Sequence, residues 1–432
     1  MEHFQPDIIA YSVTSESMNL YRQINNTLKE RYRFFAVFGG PHPTFSPALI
    51  SEDGVEAICR GEGDLSFPMF VNAFGTDDMW QTPNMSVKTD QGQVVDNPML
   101  DLVDNLDGLP FPDRDSVYRS SAILRENPVK SFFAGRGCPF KCSYCFNHAY
   151  NKMYQHKGRI VRLKSVEYLI NEIELIKSKH PLTMVRFYDD IFGHNLEWLA
   201  EFASSYPKEI GLPFICYARP NMISEKFCML LKKAGCRSVM TAIECGNEEY
   251  RKAVLKRNIS NKQIIESLRL LKSYGIKIFS LNMVGLPEEQ VEDMFGTIEL
   301  NRASRVDYAC ASIFQPYPGT EIYDYCLSKG LLPPDGVPEF QGFYSTTILN
   351  LPLSQKNQIN LIQKFFAIFV DFPNSVKLFP TLKKIPGLKW LWALIYRAYY
   401  GVNVYRKIYG VQFSLSFRIR SAVYFFISRN KT

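Results

Sequence analysis

Cys138, Cys142 and Cys145 stand within one short stretch, RGCPFKCSYCFN at 136–147, at the spacing C-x3-C-x2-C, whereas the other seven of the ten cysteines are scattered. Thiolates are soft ligands that select zinc, copper(I) or iron-sulfur clusters, so this spacing points to a metal centre wrapped by a loop. Two chemistries follow. Tetrahedral zinc needs a fourth ligand, which His148 would supply three residues further on. A 4Fe-4S cluster on three cysteines instead leaves one iron without a protein ligand, open to a substrate or cofactor. Cys59, Cys216, Cys228, Cys236, Cys245, Cys310 and Cys326 lie in apolar segments and read as small buried hydrophobes. The first residues lack the basic and apolar regions of a signal peptide, so a reducing cytoplasmic setting is expected and disulfides are not.

A loop of this kind must be positioned by regular elements. From Lys130 onward, runs rich in β-branched and aromatic residues recur: SFFAG (131–135), MVRFY (184–188), PFICYA (213–218), SVMTAI (238–243), KIFSLNM (277–283) and YACASIF (308–314). Helical patterns separate them. Val166, Leu169, Ile170, Ile173 and Ile176 share a face behind Ser165, Ser260 with Gln263 reads as a capping box, and Ser224 opens a segment ending at Gly235. Six successive βα units predict an incomplete barrel, whose chemistry sits at the C-terminal ends of the strands. The cysteine loop follows the first strand. Later ends carry Asp189 and Asp190, Arg219, Glu244 and Gly246, and Gly285 and Pro287, with Lys256 and Arg257 in the segment after the fourth. Taken singly, these residues also suit helix caps, solvated faces and ordinary turns.

Ahead of the barrel, DIIAYSV (7–13), FFAVF (34–38) and EAIC (56–59) alternate with helix-compatible segments, which predicts a small parallel sheet of Rossmann-like type. About three strands fit before residue 75, fewer than a doubly wound sheet normally has, so this domain is expected to lack its first half. The expected organisation is a front domain at 1–75, a linker at 76–129, a partial (βα)6 TIM-like barrel at 130–330 and a mainly helical extension at 331–432. The fold class is α/β.

The C-x3-C-x2-C loop, with Tyr144 just before its third cysteine and a six-unit barrel around it, resembles the radical S-adenosylmethionine (SAM) superfamily. That resemblance implies a 4Fe-4S cluster on Cys138, Cys142 and Cys145, and SAM cleaved at it to methionine and a 5′-deoxyadenosyl radical that takes hydrogen from the substrate. It also implies SAM contacts at Tyr144, Asp189, Asp190, Arg219, Glu244, Gly246, Gly285 and Pro287. The acid pair suits the ammonium group, Arg219 the carboxylate, and Glu244 the ribose or amino group, since AIECGN is similar to the family's GIESG stretch. The front turns, GGPHPTFSP (39–47) and CRGEGD (59–64), resemble those of the cobalamin-binding domain found in B12-dependent members. Ser12, Thr14, Gly39, Gly40, Pro41, His42, Gly61, Glu62 and Gly63 are then expected beside cobalamin. The D-x-H-x-x-G motif that supplies an axial histidine elsewhere is absent, because none of the six histidines has Asp two residues before it. His42 is therefore expected as a polar loop residue and not as a cobalt ligand.

The resemblance implies methylation of an unactivated carbon. An oxidation or ring closure, as in the anaerobic magnesium-protoporphyrin monomethyl ester cyclase group, is the alternative enzyme reading, and a non-catalytic metal- or cobalamin-binding regulator is the third. Expected partners are a small-molecule, lipid-like or tetrapyrrole-like substrate and an electron donor such as flavodoxin or ferredoxin.

The net charge of +7 is unevenly spread. Residues 372–432 hold eleven Lys or Arg and no Asp or Glu, leaving 7 minus 11, or −4, for the rest. Trp390, Trp392, Tyr396, Tyr399, Tyr400, Tyr405 and Tyr409 are interleaved with these cations. Such a segment suits either peripheral contact with the inner face of a membrane or helices that cover the barrel with a solvated basic face. Nucleic acid is not expected, since no recognised binding module is present.

Overall fold

The computed structural model describes residues 4–333 and 342–411, with 413, 417, 420 and 421; the rest of the basic tail lies outside the described residues. The chain forms two compact units. The first comprises residues 1–104, 140–160 and 315–351, and the second 105–139, 161–314 and 352–432.

In the first unit, β1 (Ile8–Ser12), β2 (Phe35–Gly39) and β3 (Ala57–Cys59) pair in parallel, as their apolar runs and the intervening helix Met18–Lys29 require. Tyr11, Val13, Phe38, Leu49 and Ile58 pack into one core on this sheet. The sheet continues into β4 (Met85–Lys88) and β5 (Val94–Asp96), both antiparallel. These two strands fall inside the stretch expected to be a linker. They are short and mixed in polarity, and they are stabilised by pairing with β3 and by burial of Met85 and Val87, not by a periodic pattern of their own.

The second unit is built on a six-stranded parallel sheet in the order β13-β12-β11-β10-β9-β6. Its strands are β6 (Val129–Phe132), β9 (Met184–Phe187), β10 (Phe214–Tyr217), β11 (Cys236–Glu244), β12 (Lys277–Val284) and β13 (Tyr308–Ile313). β7 (Gly135–Arg136) and β8 (Arg162–Leu163) form a small separate ladder beside the first strand. Side chains alternate along each strand. Val185, Phe187, Phe214, Cys216, Val239, Ile243 and Ile278 enter the core beneath the flanking helices. The helices start and stop where their caps dictate. Ser165, Ser224 and Ser260 accept the backbone N–H of Tyr168, Phe227 and Gln263, and Gly235 ends its helix in the left-handed conformation at φ +88°.

The extension adds helices Leu353–Asp371 and Lys389–Asn403, followed by a π-helical turn at Val404–Tyr409. Its aromatic residues are divided between two surroundings. Tyr409 accepts from Arg186 at 3.3 Å, Tyr400 meets the Tyr308 ring edge-on at 5.9 Å, and the Ile408 carbonyl accepts from Arg237 and Ser238. These contacts cover the sheet face opposite the helical core. Trp390 and Tyr405, in contrast, are exposed.

Candidate functional site

The strand ends of the second unit gather ionisable groups that burial singles out. Asp189, two residues past β9, is 4% exposed and accepts the backbone N–H of Gly135 at 2.6 Å and of Ala134 at 3.1 Å. It thereby ties the end of the first strand, where the cysteine loop begins, to the end of the second. Burial outweighs these two donors, and with a smaller push from Asp190 it raises the Asp189 carboxyl to about 7. Asp190 itself faces solvent. The adjacent acids expected to act together are therefore separated, one inward and one outward.

Glu244 ends β11 at φ +70°, a left-handed conformation that a glutamate adopts only when its surroundings hold it there. Those surroundings are two buried arginines. Arg257 donates to the Ala242 carbonyl, while Arg251, with no exposed surface, donates to the carbonyls of Cys245 and Ile259. They fix the backbone on either side of Glu244. Arg257 is not on a solvated face, and Arg251 carried no signal in the sequence because arginine is seldom fully buried. Arg219, after β10, is also buried at 8% exposure.

The glycines at these ends serve packing. A Cβ on Gly246 would lie within 2.5 Å of the backbone of Gly296 and Thr297, and one on Gly285, at φ +73°, would strike Ile359. Pro287 is buried, and its carbonyl accepts from the Tyr250 hydroxyl at 2.8 Å. Beside it lies a residue that the sequence did not single out. Glu289, 2% exposed, accepts the Leu286 N–H at 3.0 Å through one oxygen, and its other oxygen, Oε1, has no partner. Burial raises this carboxyl to about 8, so it is protonated at neutral pH.

Cys138 belongs to the second unit and Cys142 and Cys145 to the first. Cys142 is buried and the other two are half-buried. A turn closed by the Cys145 N–H on the Cys142 carbonyl at 3.2 Å precedes the helix Phe146–Met153, and Tyr144 is half-buried within it. Among the described residues, no group of three His, Cys, Asp or Glu converges as a site for a lone metal ion. His148, the fourth ligand of the zinc reading, has its Nε2 3.1 Å from Glu321. The loop carries three cysteines, the donor type and number that a cluster anchored by three cysteines takes.

In the first unit, the ends of β1, β2 and β3 place Ser12, Gly39 and Cys59 at one edge of the sheet. Gly40 has φ +96°, and a Cβ there would come within 2.8 Å of the Val13 carbonyl oxygen, so its bareness lets the first two turns touch. Gly61 has φ +73°, and its missing side chain is filled by Tyr154, whose hydroxyl accepts the Glu62 N–H at 2.9 Å. Thr44, another residue not anticipated, joins the turns by accepting from the Gly61 N–H and donating to the Gly40 carbonyl. The Thr14 N–H donates to the Ser17 hydroxyl at 3.0 Å, as ordinary turn chemistry would have it. His42 is half-buried with Nδ1 3.0 Å from the Ser15 hydroxyl, and burial lowers its pKa. Pro41 opens a short helix, a Cβ on Gly63 would lie 3.5 Å from Cys59 Sγ, and the Glu62 side chain accepts from the Val103 N–H.

Comparison with known proteins finds two families along the chain. Residues 133–300 match the radical SAM superfamily and residues 1–71 the B12 binding domain. An uncharacterized methyltransferase of Pyrococcus horikoshii is 27% identical over 337 residues, which is 77% of this chain and 72% of that protein. The anaerobic magnesium-protoporphyrin IX monomethyl ester cyclase of Rubrivivax gelatinosus is 24% identical over 74% of this chain, which spans 58% of the cyclase. The solved structure of the radical SAM methyltransferase TsrM from Kitasatospora setae, with cobalamin and a 4Fe-4S cluster bound, shares the fold at a TM-score of 0.60 and 17% identity. That match covers 76% of this chain and 65% of TsrM. Residues 133–300 are thus a radical SAM domain, and the B12-binding domain at 1–71 precedes it in the chain.

Proposed function

We propose that this enzyme transfers a methyl group to an unactivated carbon of a small molecule, using a 4Fe-4S cluster, SAM and cobalamin. The observation that carries the reading is the three-cysteine loop, tied at its start by buried Asp189 and set in a barrel whose sequence matches the radical SAM superfamily. Cys138, Cys142 and Cys145 would hold the cluster, and the β1–β3 edge with Ser12, Gly39 and Gly40 would hold cobalamin. When bound, these groups supply a carbon-centred radical and a methyl carrier, the chemistry that protein side chains lack.

The chain's own part is positioning and charge. Asp189 holds the backbone of Ala134 and Gly135, so the first cysteine leaves the strand in a set direction. Arg219 is a fixed guanidinium suited to a carboxylate, and Glu244, braced by Arg251 and Arg257, is an acceptor suited to an ammonium or a ribose hydroxyl. Burial of both removes competing water. Tyr144, Asp190, Gly246, Gly285 and Pro287 complete the proposed SAM surroundings, the two glycines by letting neighbouring helices approach. An electron donor of the flavodoxin or ferredoxin kind and a cytoplasmic setting fit a centre built on reduced thiols. Among the described residues no helix is long and apolar enough to cross a membrane.

Methyl transfer is favoured over ring closure because the Pyrococcus methyltransferase is the more similar of the two relatives and is spanned more fully. The test is anaerobic reconstitution followed by analysis of SAM products. Methylation releases S-adenosylhomocysteine alongside 5′-deoxyadenosine, and Cys142→Ala should abolish the cluster's absorbance and both products. 5′-Deoxyadenosine without S-adenosylhomocysteine would transfer support to the cyclase-like reading. A cluster signal that survives in Cys142→Ala would overturn the assignment of the cysteines.

A further inference from the structure

The exposed side of the helix Lys389–Asn403 is apolar, which is the reverse of what a helix packed on a barrel normally presents. Trp390 is 67% exposed, Leu394 44% and Val402 54%, and with exposed Ala398 they follow one another at i, i+4 along the helix. The opposite side is anchored. Trp392 is buried with its ring edge-on to Phe365 at 5.3 Å, and Tyr400 packs on Tyr308. The segment leading into the helix is pinned by buried Phe379 against Phe295 at 5.1 Å, and around that pin Leu378 and Ile385 are exposed. The stripe spans roughly 20 Å at the rise of an α-helix.

Charge decides what would cover such a surface. Lys377, Lys383, Lys384 and Lys389 are all exposed, and none of them pairs with a carboxylate among the described residues. From Phe372 to Val411 there is no Asp or Glu. Exposed Trp and Leu beside unpaired lysines, with no acidic residue between, match an interface whose upper layer is anionic and whose lower layer is hydrocarbon. A water-facing helix would place the charges where the apolar stripe lies.

From this juxtaposition we infer that the segment from Lys377 to Val402 docks on an anionic phospholipid surface, with Trp390, Leu394 and Ile385 entering the headgroup boundary and the lysines engaging lipid phosphates. The inference is independent of the reaction, because binding is read without cofactors. The full chain, as purified, is floated with vesicles of phosphatidylglycerol and phosphatidylcholine in equal parts, and with phosphatidylcholine alone. It should partition to the anionic vesicles and lose most of that binding in 0.5 M salt, where the screening length falls to about 4 Å. Lys383→Glu with Lys384→Glu should weaken partitioning by roughly tenfold or more. Trp390→Ser with Leu394→Ser should weaken it by on the order of tenfold. Since the altered side chains are exposed, both variants should unfold at the wild-type temperature. Absence of vesicle binding, or binding that both double variants retain, overturns the inference. A concentration-dependent dimer that Trp390→Ser dissolves overturns it too, since the stripe would then cover a second copy.

Discussion

The two edges proposed to hold cofactors are built from opposite materials. At the β1–β3 edge of the first unit the chain relies on bare backbone: Gly40 at φ +96° lets two turns touch, and Gly61 at φ +73° makes room for Tyr154. At the strand ends of the second unit it relies on buried charge, with Asp189, Glu244 and Glu289 all under 9% exposed and two buried arginines bracing the backbone between them. The difference suits the ligands proposed for each. A large, largely neutral macrocycle needs room and shape, which glycine turns and parallel strand ends supply. A small zwitterion needs fixed counter-charges in a dry setting, where each is worth more than in water. One consequence is energetic: removing a group from the charged edge should disturb the protein more than removing one from the backbone edge.

The largest effect is expected at Asp189. Replacing it with Ala leaves the N–H groups of Ala134 and Gly135 without their acceptor, a loss of about 4 kcal/mol at 1–3 kcal/mol for each buried donor. Urea unfolding of the variant checks the magnitude, and SAM cleavage should fall with it because the cysteine loop starts at those residues. Asp189→Asn, which keeps one acceptor oxygen, should recover part of the stability. If both substitutions leave stability unchanged, the claim that charge organises this edge fails.

Glu289 provides the next test, through pH. Its folded carboxyl titrates at about 8, above its unfolded value, so between about 4.5 and 8 the native state binds more protons than the unfolded state. Stability from this group is therefore greatest at low pH and is lost as pH rises toward 8, with a sum on the order of a few kcal/mol. Glu289→Gln mimics the protonated form and should remove that decline. Plotted against pH, the difference in unfolding free energy between variant and wild type should grow from pH 5 to pH 8, and a flat difference would mean that the carboxyl is ionised in the fold.

What could be read in advance divides along the same line. The six barrel strands, the caps at Ser165, Ser224 and Ser260 and the cysteine loop were legible, because periodicity and capping are local properties of the chain. Burial of one acid beside another was not. Asp189 and Asp190 are indistinguishable by type and adjacent in sequence, as are Glu288 and Glu289, and only tertiary packing turns one inward. Arg251 escaped notice for the related reason that its partners are carbonyls, which leave no trace in residue types. β4 and β5 were missed because a strand of three or four mixed residues is stabilised by its neighbour. At the β1–β3 edge the glycines were visible, but what fills the space beside Gly61 comes from Tyr154, ninety-three positions away in the chain.

That last contact sets a smaller test. Gly61→Ala should destabilise the first unit by about 2 kcal/mol, since a Cβ there meets the Tyr154 hydroxyl and the left-handed backbone disfavours alanine. In a Tyr154→Ala background the collision is gone and only the backbone term remains, so the penalty should roughly halve. A penalty unchanged by trimming Tyr154 would show that Gly61 is bare for some other neighbour, and the backbone edge would then be open where it is now filled.

The smallest effect is expected at Ser15. Its hydroxyl lies 3.0 Å from His42 Nδ1 in a half-buried turn, with the imidazole kept neutral by burial, so the bond joins two uncharged groups. A bond of that kind contributes about 0.5–1.5 kcal/mol, and partial solvent access lets water replace much of it in Ser15→Ala. The expected loss is below about 1 kcal/mol, well short of that at Asp189. The measurement discriminates because both residues sit at turns that leave parallel strands and differ in what they hold. If Ser15→Ala rivals Asp189→Ala, the polar contacts of the β1–β3 edge are as strongly coupled to the fold as the buried carboxyls, and the distinction between an edge of shape and an edge of charge collapses.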